Sequence, residues 1–74
     1  MLTIEPGAGG TVLIAGRFDA AQCATVRGYL DKLDGIVTLD CGGLEYISSA
    51  GLGVLLKTQK RLMAAGGKLR LTGV

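Results

Sequence analysis

The stretch Ile36–Leu56, IVTLDCGGLEYISSAGLGVLL, decides how the rest of the chain is read. It opens on Ile36-Val37-Thr38-Leu39-Asp40, a short and nearly continuous apolar run of the kind that forms a strand covered on at least one face. Cys41 to Ile47 is expected as the loop that follows. Ser48-Ser49 then marks a helix start, because a hydroxyl at that point accepts a bond from an unpaired backbone N–H. This helix is predicted to run to about Ala65 and to stop at Gly66-Gly67. Leu52, Leu55, Leu56, Leu62 and Met63 are read as its buried stripe, with Lys57, Lys60 and Arg61 facing water.

Working outward, Lys68-Leu69-Arg70-Leu71-Thr72 alternates strictly, which predicts a strand with Leu69 and Leu71 inward and its charges outward. Upstream, Asp19 with Gln22 three positions on has the form of a capping box, Asp replacing the usual Ser or Thr. Cys23, Val26, Leu30 and Leu33 recur behind it at helical spacing beside Tyr29, so a first helix is expected, ending within Lys32 to Gly35. Gln22, Arg27 and Asp31 mark its wet face. Thr11 to Ala15 (TVLIA) reads as a buried strand. Leu2 to Ile4 is a shorter one, and the turn-forming run Pro6-Gly7-Ala8-Gly9-Gly10 joins the two as a hairpin. The order is strand, strand, helix, strand, helix, strand. Strand–helix–strand units of this length imply right-handed crossovers and parallel pairing. The fold class is therefore α/β: a small mixed β-sheet of about four strands with two helices on one face.

Composition agrees with one small domain spanning residues 1–74. The chain is 49% hydrophobic and 19% charged, too apolar for a disordered tail. Charge also interrupts it too often for a membrane span, which needs about 20 apolar residues in a row. Glu5, Pro6 and Gly7 stand where a secretory signal would be apolar. There is no His, which removes the commonest general base and zinc ligand. Cys23 and Cys41 lack metal-ligand spacing and are read as core thiols. A cytoplasmic, non-catalytic module without metal or cofactor is the expectation. Residues 1–45 carry six acids and three bases, whereas residues 46–74 carry five bases and no acid. No aromatic is interleaved with those bases for stacking on nucleotides, so they are read as a solvated face rather than a nucleic-acid site.

The start of the second helix holds the residues of interest. Gly51 and Gly53 in its first turns each cost up to about 1 kcal/mol relative to Ala. Such positions suit close approach of the backbone by the sheet or by another molecule. A helix N-terminus also favours negative charge. A nucleotide-binding loop is excluded, since Val54 and Leu55 follow Gly53 where Lys and Ser or Thr are needed. A hydrolase reading is disfavoured because, without His, the only bases for Ser49 would be carboxylates or lysines brought in by the fold.

The run Leu44-Glu45-Tyr46-Ile47-Ser48-Ser49-Ala50-Gly51-Leu52-Gly53-Val54-Leu55-Leu56 closely resembles the signature of STAS domains, the family of bacterial anti-sigma factor antagonists. The likeness extends to Gly16-Arg17-Phe18-Asp19 and to Gly66-Gly67-Lys68-Leu69-Arg70-Leu71-Thr72-Gly73-Val74, so it covers nearly the whole chain.

The resemblance implies a binding module that switches partners. In such antagonists a serine at the helix start is phosphorylated by a kinase that doubles as anti-sigma factor, and a phosphatase resets it. The family motif commonly reads Asp-Ser-Ser-Gly or Asp-Ser-Ala-Gly, which carries the acceptor onto Ser49. The acid's position holds Ser48, which is therefore the second choice. Asp19 matches the acid that ends the family's strand, and Asp19, Tyr46, Ser48, Ser49, Gly51, Leu52 and Gly53 are the expected partner surface. The resemblance also implies a further helix after the last strand. Its lack here is read either as a shortened sequence or as natural, with apolar sheet surface left open for a homodimer. The alternative reading is a STAS-like subunit that is never phosphorylated and serves a structural or ligand-sensing role, as in stress-signalling or lipid-transport assemblies.

Overall fold

The computed structural model describes residues 1–73; Val74, the last residue of the family-like stretch, lies outside the described residues. Four strands, β1 (Leu2–Pro6), β2 (Thr11–Phe18), β3 (Ile36–Ile47) and β4 (Lys68–Thr72), form one sheet in the order β1-β2-β3-β4. The hairpin β1–β2 is antiparallel, and β2–β3 and β3–β4 are parallel. The two parallel pairs are joined by the helices α1 (Cys23–Leu30) and α2 (Ser49–Ala64). The α/β class, the four-strand mixed sheet and the two helices are those the apolar patterning predicts.

The strand pleat divides the sheet's residues between a helix-covered face and an uncovered one. Val12, Ile14 and Phe18 of β2, Val37 and Leu39 of β3, and Leu69 of β4 turn toward the helices and are buried. They meet Val26 and Leu30 of α1 and Val54, Leu55 and Leu62 of α2 in a single core. Their neighbours in register, among them Glu5, Leu13, Arg17, Ile36, Lys68 and Arg70, are exposed.

The expectations for β3, for the α2 stripe, and for Leu71, Arg61 and the end of α1 require correction. Cys41 to Ile47 is not a loop: β3 runs on to Ile47, paired with a β2 that itself extends past Ala15 to Phe18. The extra residues of β3 are taken up at two irregularities, where Leu13 and Ala15 pair with Asp40 and Gly43, and Gly16 and Arg17 with Leu44 and Tyr46. Bulges of this kind hide a strand's alternation in the sequence. Gly16 sits at one of them with a φ of 94°, a conformation that favours glycine.

The second correction concerns the α2 stripe. Leu55 and Leu62 are buried as expected, but Leu52, Leu56 and Met63 are exposed. Gly51, Val54 and Thr58 take their places, the Thr58 hydroxyl donating 2.9 Å to the Val54 carbonyl within the helix. At 100° per residue, Leu52, Leu56 and Met63 form a second apolar row about a third of a turn from the buried one. Periodicity marks both rows and does not say which faces the sheet.

The third is local. Leu71 pairs with the buried Leu39 on the helix side of β4, yet remains 41% exposed. Arg61 is turned toward the end of α1 rather than fully out to water. Its Nη2 donates to the carbonyl of Leu30 (2.9 Å), which also accepts the Leu33 N–H (3.0 Å), and to the carbonyl of Leu33 (2.8 Å) just beyond α1. It also lies 3.5 Å from Asp34 and 3.9 Å from Asp31, with its side chain still 36% exposed. The first helix is accordingly shorter than expected, ending at Leu30.

Candidate functional site

Parallel strands bring their C-terminal ends to one edge, where α/β sheets commonly place their sites. Phe18 ends β2 and pairs with Ile47, which ends β3. The next residues along each strand, Asp19 and Ser48, therefore emerge side by side. One bond ties the two exits together, from the Ser48 N–H to the Phe18 carbonyl (2.9 Å).

At Asp19 the chain turns into a one-turn 3₁₀ segment, Ala20–Gln22, that leads into α1. The Asp19 carboxylate accepts the Ala21 N–H at 3.0 Å, and the Gln22 amide oxygen accepts the Asp19 N–H at 3.1 Å. The capping box read in the sequence is present, and it explains Asp19 as a local structural residue at the site's margin.

Ser48 is the N-cap of α2. Its backbone is extended, and its Oγ accepts the Gly51 N–H at 3.1 Å. Asp and Ser serve almost equally well in that role. A motif with Asp at this position and this chain with Ser48 thus solve the same capping problem. Ser49 is the first helical residue and is exposed, and among the described residues its hydroxyl has no hydrogen-bond partner. Geometry separates two serines that spacing leaves equivalent: one hydroxyl closes the helix, the other stands free at its positive end.

The two glycines also part company. A Cβ on Gly51 would lie 3.1 Å from both the Phe18 ring and the Phe18 carbonyl oxygen, and 3.2 Å from Ile47. Gly51 is buried and lets α2 settle onto the sheet, so it faces the core and not a partner. A Cβ on Gly53 would meet nothing within 4 Å. Its absence has no steric reason inside the chain, although glycine there costs up to about 1 kcal/mol in helix propensity.

Around the free hydroxyl the surface is partly apolar. Tyr46 is 43% exposed, Ile47 36% and Leu52 47%. The Arg17 guanidinium lies 4.6 Å from the centroid of the Tyr46 ring, within cation–π range. Arg17 is a member of the site that sequence reasoning missed; pairing of Arg17 with Tyr46 follows only from the shifted β2–β3 register. Cys41 lies buried beneath this end of the sheet. Burial, and secondarily the Asp40 charge, push its thiol pKa above its ordinary value, so it is held neutral as a core group. No helix among the described residues is long and apolar enough to cross a membrane.

Similar folds are found among solved structures. The unphosphorylated form of the anti-sigma factor antagonist SpoIIAA superposes with a TM-score of 0.74 at 20% identity, over 96% of this chain and 71% of that one. The phosphorylated form of SpoIIAA, described as a Bacillus cell fate determinant, gives 0.72 at 20% identity, over 93% and 68%. A STAS domain from Rhodobacter sphaeroides, an antisigma-factor antagonist, gives 0.68 at 16% identity, over 99% and 85%. At these identities the likeness is one of fold. No curated protein matches the sequence. The family model described as "Mlab, STAS domain" matches residues 1–74, the whole chain. Sheet order, serine-capped second helix and family match converge: the chain belongs to the STAS domain family.

Proposed function

We propose that the chain is a non-catalytic binding module of the anti-sigma factor antagonist type, switched between partners by phosphorylation of Ser49. The observation that carries this reading is the exposed Ser49 hydroxyl, unengaged among the described residues, at the first position of α2. The proposed partners are a serine kinase that doubles as anti-sigma factor and a cognate phosphatase, acting in the cytoplasm. The γ-phosphoryl group of ATP would pass to Ser49 Oγ, with loss of the hydroxyl proton and release of ADP. That adds about −1.5 to −2 charges where the α2 N–H groups favour an anion, so the fold tolerates it. A partner covering Tyr46, Ser49 and Leu52 would have to bury the dianion or let go. Because every 1.4 kcal/mol is tenfold in affinity, one phosphate can reverse partner choice without refolding the scaffold.

Incubation with ATP and the cognate kinase, followed by intact mass and peptide mapping, tests the assignment. The expected result is one added phosphate, lost in Ser49→Ala and kept in Ser48→Ala. An unmodified wild-type chain would end the phosphorylation reading. Ser49→Asp is expected to weaken partner binding with an unchanged circular dichroism spectrum.

Two observations favour a second reading, a STAS-like structural or ligand-sensing subunit that is never phosphorylated. The family model that matches is described as Mlab, and Ser48 stands where the motif implied by the resemblance to antagonists has an acid. The kinase experiment separates the two. The proposed homodimer has Leu13 and Ile36 on the uncovered sheet face as its apolar support; a monomer by light scattering at high concentration would remove it.

A further inference from the structure

The groove between α1 and α2 is bordered by Cys23 and Arg27 on one side and by Ala50, Gly53, Val54 and Lys57 on the other. It opens toward the start of α2 but does not contain Ser49. Arg27 and Lys57 are exposed and face each other across it. Among the described residues neither forms an ion pair. Asp31, which follows α1 one turn beyond Arg27, lines the adjoining stretch of the groove with Arg27, Lys57 and Arg61 and lies beside Arg61, so the cations there outnumber the one acid. From residue 46 onward the chain has no acid to answer Lys57. The floor is small and partly apolar, and it is kept clear by the glycine that packing does not require: a Cβ at Gly53 would project into open space.

We propose that this groove is a docking surface for an acidic, amphipathic segment of a protein partner. Its carboxylates would lie between Arg27 and Lys57, and an apolar side chain would rest on Ala50, Gly53 and Val54. Two cations without an ion pair of their own, in excess of the groove's one acid, around a narrow apolar floor match alternating acidic and apolar side chains. The groove offers no aromatic ring on which a nucleotide base could stack. Complementary charge of this kind chiefly sets specificity and encounter rate. The inference does not depend on phosphorylation, and its test uses the unmodified chain.

Amide shifts of the isotope-labelled chain are to be followed during titration with a short synthetic peptide alternating Glu and Leu. The expected shifts cluster at Arg27, Ala50, Gly53, Val54 and Lys57 and vanish when Gln replaces Glu in the peptide. Arg27→Glu and Lys57→Glu are each expected to weaken binding by about tenfold or more. Arg27→Met and Lys57→Met serve if charge reversal disturbs folding. Gly53→Leu, which fills the floor and leaves the charge unchanged, is expected to weaken binding comparably while the spectrum stays that of a folded chain. Shifts centred instead on Lys60, Lys68 and Arg70 would overturn the proposal, as would wild-type binding by Gly53→Leu. So would the absence of any shift at millimolar peptide. The same shifts produced at lower concentration by a single-stranded oligonucleotide or a phosphatidylglycerol vesicle would replace the protein partner with that one.

Discussion

Substituting alanine for each serine in turn separates the hydroxyl that builds the helix from the one left available. Ser48→Ala deletes the bond from the Gly51 N–H to Ser48 Oγ (3.1 Å) and leaves that donor unpaired in a half-buried position. Loss of such an N-cap costs about 0.5–2 kcal/mol, with a centre near 1. For a domain of this size each kcal/mol moves the thermal midpoint by about 4–8 °C. A fall of roughly that size is therefore expected for Ser48→Ala. Ser49→Ala removes an exposed hydroxyl without a partner among the described residues and installs the best helix former, so its change should stay within about 0.5 kcal/mol, on the stabilising side if anything. Ser48→Asp, which keeps a capping acceptor, should sit close to wild type. Thermal and urea melts followed by circular dichroism measure all three, with an unchanged urea slope showing that the unfolded states are comparable. Equal destabilisation by Ser48→Ala and Ser49→Ala would refute the division of labour, and so would a Ser48→Ala variant as stable as wild type.

The two glycines of α2 should answer alanine with opposite signs. Gly53→Ala is expected to stabilise by up to about 1 kcal/mol. Gly51→Ala should destabilise, since crowding the Phe18 ring and carbonyl at 3.1 Å costs about 1–3 kcal/mol by overpacking; urea midpoints of the pair decide the matter. Arg61→Leu removes the guanidinium donor from the Leu33 carbonyl and the second donor from the Leu30 carbonyl, which keeps the Leu33 N–H, with an expected loss of about 1–3 kcal/mol. Arg61→Lys, lacking the planar fork, should recover only part of it in the same melts. Cys41 predicts a pH dependence. Its folded pKa is raised above 9.0, the ordinary thiol value, so the folded state holds its proton longer than the unfolded chain does. Its contribution is full below about pH 9 and falls as pH rises from there through the folded pKa. Cys41→Ala should flatten the alkaline side of the stability profile, and an identical slope in both proteins would contradict the burial argument.

Much of the architecture was legible in the chain because local patterns there agree with the global fold. Ile36–Asp40 is too short and too apolar for anything but a covered strand, Asp19 and Gln22 stand at capping-box spacing, and Lys68–Thr72 alternates cleanly. The place of the candidate site in the fold was legible for a related reason. A helix start advertises itself through its caps, and two serines followed by Gly51 and Gly53 are an unusual start.

What remained hidden depends on partners distant in sequence. Strand β3 beyond Asp40 looks like a loop because its bulges break the alternation, and only pairing with β2 makes it a strand. Leu52, Leu56 and Met63 have the right spacing for a core, yet the rotation of α2 is set by Gly51 lying against Phe18, 33 positions away in the chain. Arg61 reads as a solvated base until the end of α1 comes within reach of its guanidinium. The sequence by itself determined the order of elements, the single core and the placement of two hydroxyls at the head of α2, since each depends on side chains a few positions apart. Only the tertiary structure decided which hydroxyl is engaged, which glycine is packed and which cations line a groove, because those outcomes turn on how a helix is rotated and seated against a sheet, and no local pattern encodes that.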